Sequence, residues 1–177
     1  MSNSADQNVL KERAKMYAEK QHEISSKSGY FIRFHLGTDE QYGVAYEDIY
    51  EIVNPTEIVP IPLMPEFVAG VINLRSEIFT ILDLKSFFNI FPFFDKLESW
   101  VIIVGDANMK VGILVDAIIS SDPYSPDELM PSIESANITN LDYIHGIFQG
   151  EVVLLNTLPL IQDIAKRIKH ITQERAQ

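Results

Sequence analysis

Apolar residues in this chain fall at every second position or in short unbroken runs over most of its length, and both patterns predict strands. From Tyr30, the side chains of Ile32, Phe34 and Leu36 share one face and those of Phe31, Arg33 and His35 the other. Gly37-Thr38-Asp39-Glu40 turns the chain, Gln41–Tyr46 returns as a second strand, Glu47-Asp48 begins a brief helical turn or bend, and Tyr50–Val53 is extended again. Pro55, Pro60, Pro62 and Pro65 forbid helix and interior strand, so this stretch is a surface connection or a sheet edge. Val68–Leu74 and Ile78–Leu84 are strand-length runs around Arg75-Ser76-Glu77, a break of hairpin length. An arginine at such a turn lies in solvent or pairs with a carboxylate, because its guanidinium cannot enter the core cheaply. Asp83 stands where an N-cap would start a helical turn through Phe88.

Helical periodicity is confined to the two ends. Ser4 and Gln7 have capping-box spacing, and Leu10, Ala14 and Tyr17 share one face of a helix expected over about residues 5–22. Ser25–Gly29 breaks it. That helix is either an arm packed over an open sheet edge or a docking element for a partner. A second helix is expected over residues 158–171, with Asn156 placed to cap it and with Leu160, Ile161, Ile164, Ile168 and Ile171 on its buried face. Between the helices the chain repeats itself. Tyr30–Ile52 aligns with Trp100–Ile119, which sets Gly43 on Gly112 and Ile49 on Ile118. Gly70–Leu84 aligns with Gly146–Thr157, which sets Glu77 on Glu151 and Asp83 on Asn156. A doubled unit of about five short strands predicts a mainly β fold of two small barrels packed side by side. The expected division is a helical extension and linker over 1–29 and a body over 30–171, made of intertwined units near 30–90 and 98–160 with the last helix packing back. The phenylalanines of Asn89–Leu97 either fold onto a barrel or form an exposed patch, and the acidic run Asp122–Glu128 is expected to be a solvated connection.

Composition narrows the function classes. The 177 residues suit one domain, or two small subdomains sharing a core. The absence of cysteine excludes disulfides, thiolate metal sites and a cysteine nucleophile. A net charge of −11 with scattered cations argues against nucleic acid as a partner and favours a basic protein surface. No signal peptide and no apolar run of membrane-spanning length is seen, which leads to the expectation of a cytoplasmic chain without direct membrane insertion. His22, His35, His145 and His170 have no metal-ligand spacing, and no phosphate-cradling or nucleophile-elbow motif occurs. No metal, cofactor or catalytic residue is therefore expected. The arginine of the first hairpin turn is missing from the second copy, which reads HGIFQGE where the first reads GVINLRSE, and this favours a functional role for Arg75.

Four blocks in order, FIRFHLGTDEQYGVAYEDIYEIV, IPLMPEFVAGVINLR with the following LDL and FF, WVIIVGDANMKVGILVDAI and YIHGIFQGEVVLLN, resemble the CheW-like domain over roughly residues 30–165. That resemblance implies paired SH3-like barrels. It also implies a non-catalytic adaptor that couples the cytoplasmic tip of methyl-accepting chemoreceptors to a CheA-type histidine kinase. The kinase's regulatory domain would bind barrel to barrel, and a receptor helix would dock in the groove between barrels. By the same resemblance, Arg75 and Asn73 belong to the signature turn, Gly70 is the glycine before it, and Ile49 and Glu51 match positions linked to receptor coupling. Arg75 is expected to orient the groove through Glu51 or Glu77. The implied location is the cytoplasm, with recruitment to receptor arrays at the membrane. The chain departs from the family pattern at Ser76, where glycine is usual, and at Thr80, where proline is usual. These departures leave open a related pathway, such as pilus-driven motility or cell-surface regulation, or an adaptor-like competitor that has lost kinase binding. A reading from another class is a small-ligand-binding or catalytic β-barrel, which requires a deep pocket with convergent polar groups.

Overall fold

The structure, a computed structural model, describes residues 28–37, 40–55, 57–90, 99–131 and 135–174. The expected N-terminal helix and the phenylalanine-rich stretch from residue 91 lie outside them. Among the described residues, eleven strands form two sheets. The first sheet contains β1 (Gly29–His35), β2 (Gln41–Ala45), β8 (Ala117–Tyr124), β9 (Leu129–Met130), β10 (Ile144–Phe148) and β11 (Val152–Leu155). The second contains β3 (Ile49–Val53), β4 (Val68–Leu74), β5 (Glu77–Leu82), β6 (Trp100–Gly105) and β7 (Lys110–Val115). Their orders are β8-β1-β2-β11-β10-β9 and β3-β6-β7-β5-β4.

The two orders are the same plan executed twice. In the first sheet the β1–β2 hairpin lies between β8 and a parallel partner, β11. In the second, the β6–β7 hairpin lies between β3 and a parallel partner, β5. Membership crosses between the halves of the chain: β3 leaves the β1–β2 hairpin for the second sheet, and β8 leaves β6–β7 for the first. The aligned glycines explain the two parallel contacts. Gly43 faces Leu154 across β2–β11, and Gly112 faces Ile81 across β7–β5. A Cβ at Gly43 would lie 2.7 Å from the Phe31 ring, and one at Gly112 would lie 2.5 Å from Ile81 Cδ1, so neither crossing admits a side chain.

Apolar side chains fill three regions. Phe31, Tyr124, Phe148, Val152 and Leu154 fill the interior of the first sheet. Ile72, Phe79, Ile81, Val101 and Ile103 fill that of the second. A larger shared core between the sheets takes the alternate residues, among them Ile32, Phe34, Ile102, Val104, Val153 and Leu155. Strands β6 and β11 are therefore covered on both faces, which is why WVIIVG and VVLL read as unbroken apolar runs. A flat five-stranded sheet would hold its edges about 19 Å apart. Here Val53 of edge strand β3 and Leu74 of edge strand β4 pack against one cluster, so the sheet curls and brings both edges onto a common interior.

Two helices close the shared core. Helix α1 (Leu84–Phe88) is capped by Asp83, whose carboxylate accepts from the Lys85 N–H at 3.0 Å, and Lys85 pairs with Asp116 at the start of β8. Helix α2 (Thr157–Glu174) extends beyond the expected 158–171 at both ends and buries Leu160, Ile161 and Ile164 in the shared core. Asn156 precedes α2, and its carbonyl accepts from the Leu160 N–H at 3.4 Å. Thr157 is buried and donates to Asp48 at 2.6 Å, tying the start of α2 to the 3-10 turn before β3. Tyr143 and Arg167 both donate to Asp163, fastening the middle of α2 to the turn before β10. The hydrogen bond from Tyr143, followed by the Arg167 guanidinium, holds the Asp163 carboxyl below its usual 3.8. The expectation of a solvated connection over Asp122–Glu128 fails in its first part. Asp122, Pro123 and Tyr124 end β8, and Tyr124 is buried against Phe31 because a core aromatic needs only its own alternation to be carried inward.

Candidate functional site

At the free end of the second sheet, a two-residue turn joins β4 to β5. Its central residues, Arg75 and Ser76, have φ of 51° and 68°, the positive pair that matches strand twist in tight hairpins. Glycine or asparagine usually fills such positions, and serine at φ 68° carries steric strain that glycine would avoid. Asn73 offsets part of it, since its Oδ1 accepts from the Ser76 N–H at 3.1 Å. The turn aims Arg75 across the mouth of the curled sheet, where Nη2 meets Glu51 Oε1 at 2.9 Å. Glu51 lies on β3, the opposite edge strand, so the ion pair latches the seam where the sheet closes on itself. Of the two carboxylates expected for Arg75, the structure selects Glu51. Curling brings β3 to the turn, a proximity that sequence spacing cannot reveal.

Arg75 is 77% exposed and Glu51 22%. Such a pair adds only about 0.2–1 kcal/mol to stability, and most of the guanidinium remains open to an incoming group. Ile49 sits two residues before Glu51 on β3, half-buried against the shared core, and Tyr50 between them is bulged outward. Gly70 is further along β4, and its role in the fold is a backbone one. With φ 147°, it admits Val59, whose carbonyl would lie 2.3 Å from any Cβ there, and Val59 pairs with Val71 through bonds of 2.9 and 2.8 Å. The structure thus brings Arg75, Asn73 and Glu51 together at one end, with Ile49 two residues before Glu51 on β3 and Gly70 in the supporting hairpin.

Sequence reasoning missed the apolar surface beside them. Ile78, just past the turn, is 71% exposed. Tyr50 is half-exposed, and Lys110 Nζ stands 3.7 Å over its ring. Val59 and Leu63 are exposed on the proline-rich segment before β4. Exposed large apolar groups on this sheet, together with the cations Arg75 and Lys110, suit protein contact better than chemistry. Among the described residues, no group of three or more His, Asp or Glu side chains gathers to hold a metal. No helix is long and apolar enough to cross a membrane among them.

The equivalent end of the first sheet is unlatched. The turn between β10 and β11 is Gln149-Gly150, and Ser120 aligns with Glu51. A cavity of about 380 Å³ opens there between Gln149 and the end of β8.

Residues 31–165 match the family model described as the CheW-like domain. The chain belongs to the CheW-like domain family. It is 29% identical over 143 residues to the Chemotaxis protein CheW of Treponema pallidum (strain Nichols), covering 75% of this chain and 80% of that one. A CheW-like segment also connects it to a much longer protein. It shares 30% identity over 100 residues with the Chemotaxis protein CheA of Borreliella burgdorferi, 56% of this chain and 11% of that protein. The crystal structure of the scaffolding protein TtCheW from Thermoanaerobacter tengcongensis superposes with a TM-score of 0.67 at 30% identity, covering 76% of this chain and 88% of the other. The CheW-like match takes in all eleven strands apart from the first two residues of β1, so the family relation extends over the whole two-sheet body.

Proposed function

We propose that this chain is a non-catalytic adaptor that couples methyl-accepting chemoreceptors to a CheA-type histidine kinase in the cytoplasm, recruited to receptor arrays at the membrane. The observation that carries this reading is the CheW-like match over residues 31–165, shared with proteins named for chemotaxis and with a structure titled a scaffolding protein. Kinship with one part of a CheA chain fits an association of like domains, barrel against barrel. The geometry supplies suitable surface. Arg75, mostly open to solvent, offers unspent hydrogen-bonding capacity, Ile78 and Tyr50 offer apolar area next to the turn and its partner Glu51, and Val59 and Leu63 expose more on the segment before β4. No bond is made or broken. Signal passes as a difference in affinity for receptor and kinase states. A ligand-binding barrel would need a hollow interior, whereas Phe31, Phe148 and Leu154 fill one sheet and Phe79, Ile81 and Ile103 the other.

The test is capture of a CheA regulatory domain and of a receptor tip by the wild-type chain and by Arg75→Glu. Binding by wild type, with a loss of tenfold or more in the variant, supports the reading. Failure of the wild-type chain to capture either partner refutes it.

A further inference from the structure

The unlatched seam of the first sheet has features that adaptor function leaves unused. Its cavity has an aromatic floor, Phe148 and Tyr124, and an acidic rim that includes Asp122 and Glu128. Arg33 Nε approaches Asp122 Oδ2 at 2.9 Å and its Nη1 donates to Gln41, so the rim's one cation among the described residues is already engaged. Burial, then the negative charges of Glu47 and Asp48, hold the Tyr124 hydroxyl above its usual 10.0. Tyr30 and Tyr46, whose rings lie 6.0 Å apart and tilted at 38°, and Ile119 on β8 leave apolar area in solvent. Strand β8 is a sheet edge whose outer side has no strand partner among the described residues.

We propose that the chain's own N-terminal segment, residues 5–22, seats its apolar face of Leu10, Ala14 and Tyr17 in this seam. Three observations select that occupant. The chain enters the body at the cavity itself, because Ser28 forms part of its rim and Gly29 passes against the Tyr124 ring. From Tyr17 to Ser28 an extended chain spans up to about 35 Å, ample for a fold-back, and the tether keeps the segment at high local concentration. Charge also matches. Residues 1–27 hold five of the fourteen cations and four of the twenty-five acids, so the segment is net +1 and the remainder −12. On a helix over residues 5–22, Lys11 and Lys20 would flank the apolar face, placed to meet the acidic rim. So seated, the segment does at the first seam what Arg75 and Glu51 do at the second, and it withdraws the β8 edge from other chains. The contact is internal and stands or falls apart from the adaptor reading.

The chain has no cysteine, so paired cysteines report proximity without background. Ala14→Cys combined with Gln149→Cys is expected to form an intramolecular disulfide under mild oxidation. Ala14→Cys combined with Ser76→Cys, at the equivalent turn of the other sheet, is expected not to form one. Equal cross-linking in both pairs, or in neither, overturns the proposal, as does a disulfide formed only between two molecules, which would give the seam to a second copy. Hydrogen exchange of residues 5–22 in the full chain provides an independent measure. Leu10→Asp with Tyr17→Asp is expected to accelerate it about tenfold, and 0.5 M salt to accelerate it in the wild type; no change in either also overturns the proposal.

Discussion

At the tip of β4–β5 the turn residues are Arg75 and Ser76, with φ of 51° and 68°; at the tip of β10–β11 they are Gln149 and Gly150, with φ of 51° and 75°. The backbones are interchangeable, but the chemistry is not. One turn projects a guanidinium onto the opposite edge strand and closes its seam, while the other presents an amide beside an open cavity. The duplicated fold therefore fixes where a turn points, and single residues decide what it does there. The same separation holds at the glycines. Gly43 and Gly112 do the same steric work in both copies, whereas Gly70 and its counterpart Gly146 do not. A Cβ at Gly70 would strike the Val59 carbonyl at 2.3 Å with φ at 147°, but one at Gly146 would meet mainly the Leu129 Cβ at 2.9 Å.

The largest test of this contrast is Gly70→Ala against Gly146→Ala. Backbone collision plus strain is expected to cost about 3 kcal/mol or more at Gly70 and about 1–2 kcal/mol at Gly146. Each kilocalorie lowers the melting temperature by about 2–4 °C in a chain of this size. Equal losses would mean that the two hairpins are braced alike. Next in size is the attachment of α2, which the short α1 does not share. Tyr143→Phe is expected to cost about 1 kcal/mol at pH 7 by removing a donor from Asp163. Because the folded carboxyl lies below its usual 3.8, this stabilisation is fully present above that value and is lost as pH falls through the lower folded value. The gap between wild type and variant in thermal melts should therefore be constant from pH 7 to 5 and close in stronger acid.

Smaller still is Ser76→Gly, which makes the first turn resemble the second. Relief of strain at φ 68° is expected to exceed the added freedom of the unfolded chain, for a net gain of about 0.5 kcal/mol by denaturant midpoint. Smallest is the latch itself. A double-mutant cycle of Arg75→Gln and Glu51→Gln should return a coupling of about 0.2–1 kcal/mol in stability. If the pair serves partners more than the fold, the same cycle read in kinase-domain affinity gives the larger number.

The strands were legible because alternation and run length carry through to burial. Ile32, Phe34 and Leu36 face the shared core as their spacing predicts. The turn of the first hairpin was legible from three polar residues, and the doubling from aligned glycines. What spacing could not reveal was partnership across distance. The choice of Glu51 over Glu77, the approach of Val59 to Gly70 and the bond from Thr157 to Asp48 all depend on how a sheet curls or a helix returns, and no local pattern records that. Exposed Ile78 escaped notice for a related reason. It continues an apolar run whose later members are buried, and only the position of the sheet's end separates it from them.

The passage of β3 and β8 from one sheet to the other has a consequence for synthesis. Strand β2 finds its parallel neighbour only at Val152–Leu154, and β5 finds its own only at Gly112–Ile113. A nascent chain emerging from the ribosome can form local hairpins early and complete the second sheet once β7 is made, but the interior of the first sheet and the shared core wait for β11, the last strand. Closure of the first sheet must then be largely post-translational and governed by distant pairings, with the apolar face of β1 and β2 open to chaperones through most of elongation.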